Sequence, residues 1–189
     1  GPNAAHAGTN CAATVLGGDY ADDTSGRLVS PPFVVPAADQ NPRVRFWQWY
    51  SIGGHDFCEM QVKVGTNAWK VLHRYISTGS GVWNQQAYDL SAYAGQTVQL
   101  GFYFESHGYS NPSYPYQWLQ DPSTGWYVDE LVLATGSVQT IVPNVVESFE
   151  LGWRDWYAED GTWEIGRPTS SGPNAAHAGT NCAATVLGG

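Results

Sequence analysis

The chain contains the same 18-residue segment twice. GPNAAHAGTNCAATVLGG occupies residues 1–18 and returns without a substitution at residues 172–189. Eighteen consecutive identities do not arise by chance, so the segment marks a repeat whose unit, counted from residue 1 to residue 172, is 171 residues long. The sequence therefore predicts slightly more than one unit of a tandem array.

The composition of the chain favours β-structure. Charged residues make up only 13%, about half the usual share, whereas 22 glycines and 11 prolines supply many turns. The clearest alternation of apolar and polar residues lies in 97–105, and 44–52 carries aromatic rings on both faces. About ten such short segments, without a helical period, predict an all-β sandwich in which 44–52 is a central strand with its second face covered.

The charge of the chain excludes some partners. A net charge of −9 with eight Lys plus Arg disfavours binding to nucleic acid or to an anionic membrane. The sequence has no apolar run long enough to insert into a membrane. An acidic, lysine-poor chain of this kind predicts an extracellular or cell-surface location.

The cysteines are interpreted through the repeat. Cys182 is the second copy of Cys11, so each unit has two cysteines, Cys11 and Cys58. We expect a Cys11–Cys58 disulfide, worth about 4 kcal/mol in the chain-entropy model, with Cys182 paired in the following copy. Two buried free thiols are the alternative.

Several motifs together resemble a known domain. SFExGWxxW at 148–156 is followed by GxWEIG at 161–166 and AHxGxxCA at 176–183, and further matches lie at 28–31, 45–50, 89–98 and 125–129. This pattern resembles the MAM-like jelly-roll domains of bacterial secreted proteins, which include the accessory domains of immune inhibitor A type proteases and cleaved-adhesin modules. The resemblance implies a jelly-roll β-sandwich as one unit of the array.

The resemblance also implies the domain boundaries. Residues 1–134 correspond to the C-terminal bulk of one unit, 135–144 to a linker, and 145–189 to the opening strands of the next unit. Residues 1–134 thus lack opening strands of their own. These strands are supplied by the preceding copy, by another chain, or by circular permutation, and the sequence leaves the three possibilities open.

A structural calcium ion is a further expectation from the resemblance. In related jelly rolls the ion lies between the glutamate of the opening Phe-Glu and an aspartate of the last strand, positions held here by Glu150 and Asp129, with Glu147 and Glu130 as nearby substitutes. Calcium prefers six to eight oxygen ligands, so the carboxylates are only part of a site. Ordinary surface carboxylates are the alternative.

The sequence offers no set of catalytic residues. It lacks a Gly-x-Ser-x-Gly motif, a His-Glu-x-x-His motif and a phosphate-binding loop. We expect His6, repeated as His177, to be hydrogen-bonded in a core, and His55, Asp56 and Glu59, which lack zinc-ligand spacing, to lie on the rim of a hairpin. The prediction is a protein without enzymatic activity.

An aromatic insertion, residues 106–124, is the remaining candidate site. Its rings can form an interface with an adjacent copy, pack within the domain, or stack on sugar rings; they are Tyr109, Tyr114, Tyr116 and Trp118. The first interpretation predicts an extracellular structural or adhesive repeat protein whose units assemble end to end as a fibre or stalk. The alternative is a carbohydrate-binding or substrate-targeting module of a secreted hydrolase.

Overall fold

The computed structural model describes residues 1–76, 78–110, 118–119, 122–169 and 172–188. Its strands are β1 (Ala12–Ala13), β2 (Ser25–Val29), β3 (Phe33–Val34), β4 (Arg43–Ser51), β5 (Phe57–Val64), β6 (Lys70–Ile76), β7 (Asn84–Asp89), β8 (Thr97–Glu105), β9 (Tyr109–Ser110), β10 (Trp118–Leu119), β11 (Gly125–Ala134), β12 (Glu164–Gly166) and β13 (Cys182–Ala184). Two 3₁₀ helices span Ala38–Gln40 and Ser91–Tyr93. No helix among the described residues is long and apolar enough to cross a membrane.

Two antiparallel sheets form the body of the molecule. One has the strand order β1-β11-β4-β7 and the other β2-β8-β5-β6, with β3 pairing beside β2 on β8. These two orders contain eight strands, which can be renumbered 1 to 8 along the chain. The sheet with β11 then has the order 1-8-3-6, and the sheet with β8 has the order 2-7-4-5. This is the order of a jelly roll, so the predicted all-β sandwich is confirmed.

The core lies between the two sheets and follows from the alternation of side chains along the strands. Along β4 every second residue is buried, including Phe46 and Tyr50, and β8 buries Phe102 in the same way. The ring of Phe102 packs edge-to-face on Phe46, with centroids 5.2 Å apart, and on Trp126 of β11 at 5.3 Å. Burial of each such side chain stabilises the fold by roughly 1.5–3 kcal/mol.

Two carboxylates predicted on the rim of a hairpin are buried instead. Asp56 is fully buried and accepts a hydrogen bond from the Tyr20 hydroxyl, while Glu59, 3% exposed, forms an ion pair with Arg74. His55 is exposed, as expected for a rim position. The rim prediction is therefore wrong for both acidic residues, because each buried carboxylate has a partner: Arg74 lies opposite Glu59 on β6, and Tyr20 reaches Asp56 from an earlier loop.

The segment after residue 145 contacts the body of the same chain. The Ala158 amide donates to the Gln85 carbonyl oxygen of the edge strand β7 at 3.0 Å. Arg43 of β4 binds Asp155 through Nη2 at 2.7 Å, and the Asn84 side chain donates to the Gly161 carbonyl oxygen at 3.0 Å. In this chain an opening segment thus covers the β7 edge, while the assignment of segments to units of an array stays a prediction.

Candidate functional site

Six tryptophans lie on the outer side of the β1-β11-β4-β7 sheet and on the 149–165 segment that covers it. They are Trp47, Trp49, Trp83, Trp153, Trp156 and Trp163. We call them the tryptophan surface. They line two grooves that share Trp153 and Ile165.

The alternation along β4 places the first two of these rings. Because Phe46 and Gln48 point into the core, Trp47 and Trp49 between and after them must point outward. Trp153 packs edge-to-face on Trp47, with ring centroids 5.6 Å apart. The second face of β4 is therefore covered by a neighbouring segment, as the sequence predicted.

The first groove has a volume of about 600 Å³ and is bounded by the first copy of the repeated segment. The indole N–H of Trp83 donates to the Ala4 carbonyl oxygen at 3.3 Å, and the imidazole of His6 stacks on Trp47 at 3.7 Å. One face of Trp47 is thus already occupied by a ring of the chain itself. The other two rings of this groove are half-buried, with Trp49 edge-to-face on Tyr127 at 5.7 Å and Trp83 edge-to-face on His6 at 5.9 Å.

The second groove is smaller, about 360 Å³, but its rings are more exposed. Trp156, Tyr157 and Trp163 are 37%, 55% and 48% exposed. The carboxylate-bearing residues Glu159 and Asp160 line the same groove. Flat apolar rings beside carboxylates suit a ligand that presents both apolar C–H faces and hydroxyl donors.

The first copy of the repeated segment is attached to β11 through two of the predicted carboxylates. β1 pairs with Tyr127 and Val128, and the Ala7 amide donates to Asp129 Oδ2 at 3.1 Å. A bulge follows Asp129, and there Glu130, at φ 48°, accepts a hydrogen bond from His6 at 2.5 Å. His6 is thus a half-buried surface residue held by stacking and a carboxylate, whereas a core position was expected.

The second copy is attached to the opening segment through Glu150. The carboxylate of Glu150 accepts hydrogen bonds from the Thr180 amide at 2.8 Å, the Thr180 hydroxyl at 2.6 Å and the Asn181 amide at 2.8 Å. These bonds, with that of the Thr180 hydroxyl the largest contribution, lower the pKa of Glu150 below its ordinary value. β12 and β13 form a two-stranded sheet beside this contact.

The four carboxylates predicted to bind calcium are not brought together. Asp129 and Glu130 contact the first copy of the segment, Glu150 contacts the second, and Glu147 accepts hydrogen bonds from the Phe149 amide and the Gln139 side chain. Within the described ranges, no group of three or more His, Cys, Asp or Glu side chains is placed to hold a metal ion. The arrangement does not fit a shared calcium site, and calcium binding stays a prediction.

The predicted Cys11–Cys58 disulfide is not formed, since Cys11, Cys58 and Cys182 are all free thiols. Cys58 lies in the core on β5, in the middle of one sheet, whereas Cys11 directly precedes β1 at the edge of the other sheet. Burial raises the pKa of the Cys58 thiol well above its ordinary value, and burial and then the Asp129 carboxylate raise that of Cys11. A buried Cys58 thiol of this kind is a packing residue.

The aromatic insertion predicted as an interface is described only in part. Tyr109 and Trp118 belong to β9 and β10, which pair with each other, while Tyr114 and Tyr116 lie outside the described residues. The sequence reasoning missed the tryptophan surface as a site. Its signal was the presence of rings on both faces of β4, together with the tryptophans of the Phe-Glu motif.

Two comparisons with known proteins bear on the chain. No family model matches it. The chain is similar to bacillopeptidase F of Bacillus subtilis (strain 168), with 31% identity over 140 residues. The match covers 72% of this chain but only 9% of that protein. The chain is therefore similar to a small part of a peptidase, and this likeness does not carry the activity of the whole enzyme.

Proposed function

We propose that the chain is a non-catalytic module of a larger extracellular protein, and that its tryptophan surface binds a polysaccharide. The observation that carries the proposal is the second groove, in which exposed rings of Trp156 and Trp163 stand beside Glu159 and Asp160. The match to a small part of bacillopeptidase F supports a role as an accessory module, and the MAM-like motifs and acidic composition support an extracellular location.

The chemistry of a sugar ring suits this groove. One face of a pyranose presents C–H groups, which pack on an indole ring, and its edge carries hydroxyl groups that donate to carboxylates. The rings need no rearrangement, because the anchor of the 149–165 segment to β4 and β7 holds them in place. A pre-formed aromatic platform therefore limits the entropy lost when the ligand binds.

Binding is measured by co-sedimentation with microcrystalline cellulose, chitin and purified peptidoglycan. We expect Trp163→Ala to weaken binding to the retained polysaccharide by about tenfold, because a stacking partner is lost. Trp69→Ala is the matched control, since Trp69 contacts Arg27 on the opposite sheet. If the unaltered chain sediments with none of the three polymers, or if Trp69→Ala weakens binding as much as Trp163→Ala, the proposal fails.

A second candidate function is the assembly of units end to end in a structural or adhesive stalk. It is favoured by one observation: two identical segments make two different sets of contacts, one with the body and one with an opening segment. Electron microscopy of the native material tests it. Fibres with a repeat of one domain are expected, and isolated single-domain particles would contradict it.

A further inference from the structure

The loop Gly179–Asn181 of the second copy is a carboxylate-binding loop. The backbone amides of Thr180 and Asn181 and the Thr180 hydroxyl all donate to the Glu150 carboxylate. Gly179 makes the turn at φ +72°, and a Cβ there would collide with the Glu150 carboxylate. The positive φ and this close approach both favour glycine.

The same loop in the first copy has the same backbone turn but no carboxylate. Gly8 stands at φ +62°, and Thr9 and Asn10 are exposed. Among the residues that the structure describes, none accepts a hydrogen bond from the Thr9 or Asn10 amide. The first copy thus presents a carboxylate-binding loop whose acceptor is missing.

A strand edge lies next to this loop. β1 is the last strand of its sheet, and the Thr14 amide donates to the Trp126 carbonyl oxygen at 3.0 Å. Because backbone groups alternate along a strand, those of Cys11 and Ala13 point away from β11. The outer edge of β1 is therefore open to a further strand.

The second copy of the segment indicates which strand could pair with the outer edge of β1. There β13, the copy of β1, pairs with β12, and Ala184, the copy of Ala13, lies opposite Glu164. The contacts of the two copies also use different groups of the segment. The first copy binds β11 through the Ala7 and Thr14 amides, whereas the second binds Glu150 through the copies of Thr9 and Asn10. The amide contacts of the two copies therefore do not compete for the same groups.

We propose that residues 8–13 form the docking surface for the opening segment of a preceding unit, a second copy of residues 145–166. The Glu150 carboxylate of that unit binds the Thr9 and Asn10 amides, and its β12 pairs with the outer edge of β1. The repeated segment then joins the opening strands of one unit to the body of the next. This inference rests on the second candidate function and names the contact by which units join.

A synthetic peptide of residues 145–171, added to the 189-residue chain labelled with ¹⁵N, tests the docking surface. We expect the Thr9 and Asn10 amide resonances to move downfield, toward those of Thr180 and Asn181, with saturation. A Glu150→Gln peptide is expected to bind about tenfold more weakly, because a charge-assisted acceptor is lost. Thr9→Ala in the chain should weaken peptide binding, while Thr180→Ala, the same change in an identical local sequence, should not.

Three outcomes would overturn the proposal. The Thr9 and Asn10 resonances could stay fixed at millimolar peptide, or the two peptides could bind equally. Alternatively, the chain alone could show two sets of Thr9 resonances in a ratio independent of concentration, which would mean that its own Glu150 occupies the loop. If no fibres form but the peptide still shifts the Thr9 and Asn10 resonances in a Glu150-dependent way, the stalk function is rejected and the docking contact is supported.

Discussion

The two copies of the repeated segment have one sequence and two environments. His6 is half-buried and stacked on Trp47, whereas its copy His177 is exposed. Thr180 and its copy Thr9 are both exposed, but Thr180 is hydrogen-bonded to Glu150, and no carboxylate among the described residues binds Thr9. Both copies nevertheless form a short strand at the same place and a left-handed glycine before it. Local conformation is thus encoded within the segment, and its partners are not.

The physical reason is the small size of each copy. A strand of two or three residues is not stable alone and needs a neighbouring strand to satisfy its backbone. β1 pairs with β11 over the core of the sandwich, and β13 pairs with β12 in a two-stranded sheet. We therefore expect the segment to contribute more to the free energy of unfolding when it pairs with β11 than when it pairs with β12.

The largest effect is expected from proline at the first alanine of the Cys-Ala-Ala strand, Ala12 in β1 and Ala183 in β13. Thr14 donates its amide to β11, and by alternation so does Ala12. Ala12→Pro should therefore lower the free energy of unfolding by about 1–3 kcal/mol, because a β11 carbonyl loses its donor. Ala183→Pro, the identical change in β13, should cost less. Urea denaturation measures the free energy of unfolding of both variants. Equal losses would show that the two copies do not differ in their contribution to stability.

A smaller effect is expected at the threonine that follows the strand. Thr14 Oγ1 accepts a hydrogen bond from the Trp126 amide at 3.1 Å. Thr14→Val leaves that amide without its acceptor and should cost about 0.5–1.5 kcal/mol. Thr185→Val is the control in the second copy, where thermal unfolding should show no measurable change. A comparable destabilisation by Thr185→Val would contradict the assignment of separate environments.

The smallest effect concerns pH. The lowered pKa of Glu150 means that its contact contributes stability above the pKa of an unfolded glutamate and loses it as the pH falls through the folded pKa. Thr180→Ala should move this pKa back toward its ordinary value, and Thr9→Ala should leave it unchanged. An NMR titration of the Glu150 carboxylate measures both. A pKa that is insensitive to Thr180→Ala would show that the loop does not hold the carboxylate.

Predictions from the sequence succeeded where they depended on neighbouring residues. The alternation in 97–105 predicted β8, and the double-faced aromatics of 44–52 predicted a central strand with both faces covered. They failed where partners are distant in the chain. Asp56 is bound by Tyr20 from a separate loop, and no bond forms between Cys11 and Cys58, which lie in different sheets.

The sequence by itself determined the repeated segment and its offset of 171 residues, which can be read directly, and the all-β class, because a period of two is a property of adjacent residues. Only the tertiary structure decided that Asp129 holds one copy of the segment and Glu150 the other. Only the tertiary structure, likewise, brought tryptophans from β4 and from the 149–165 segment into one surface. These contacts join residues from 30 to more than 120 positions apart, which no local pattern encodes.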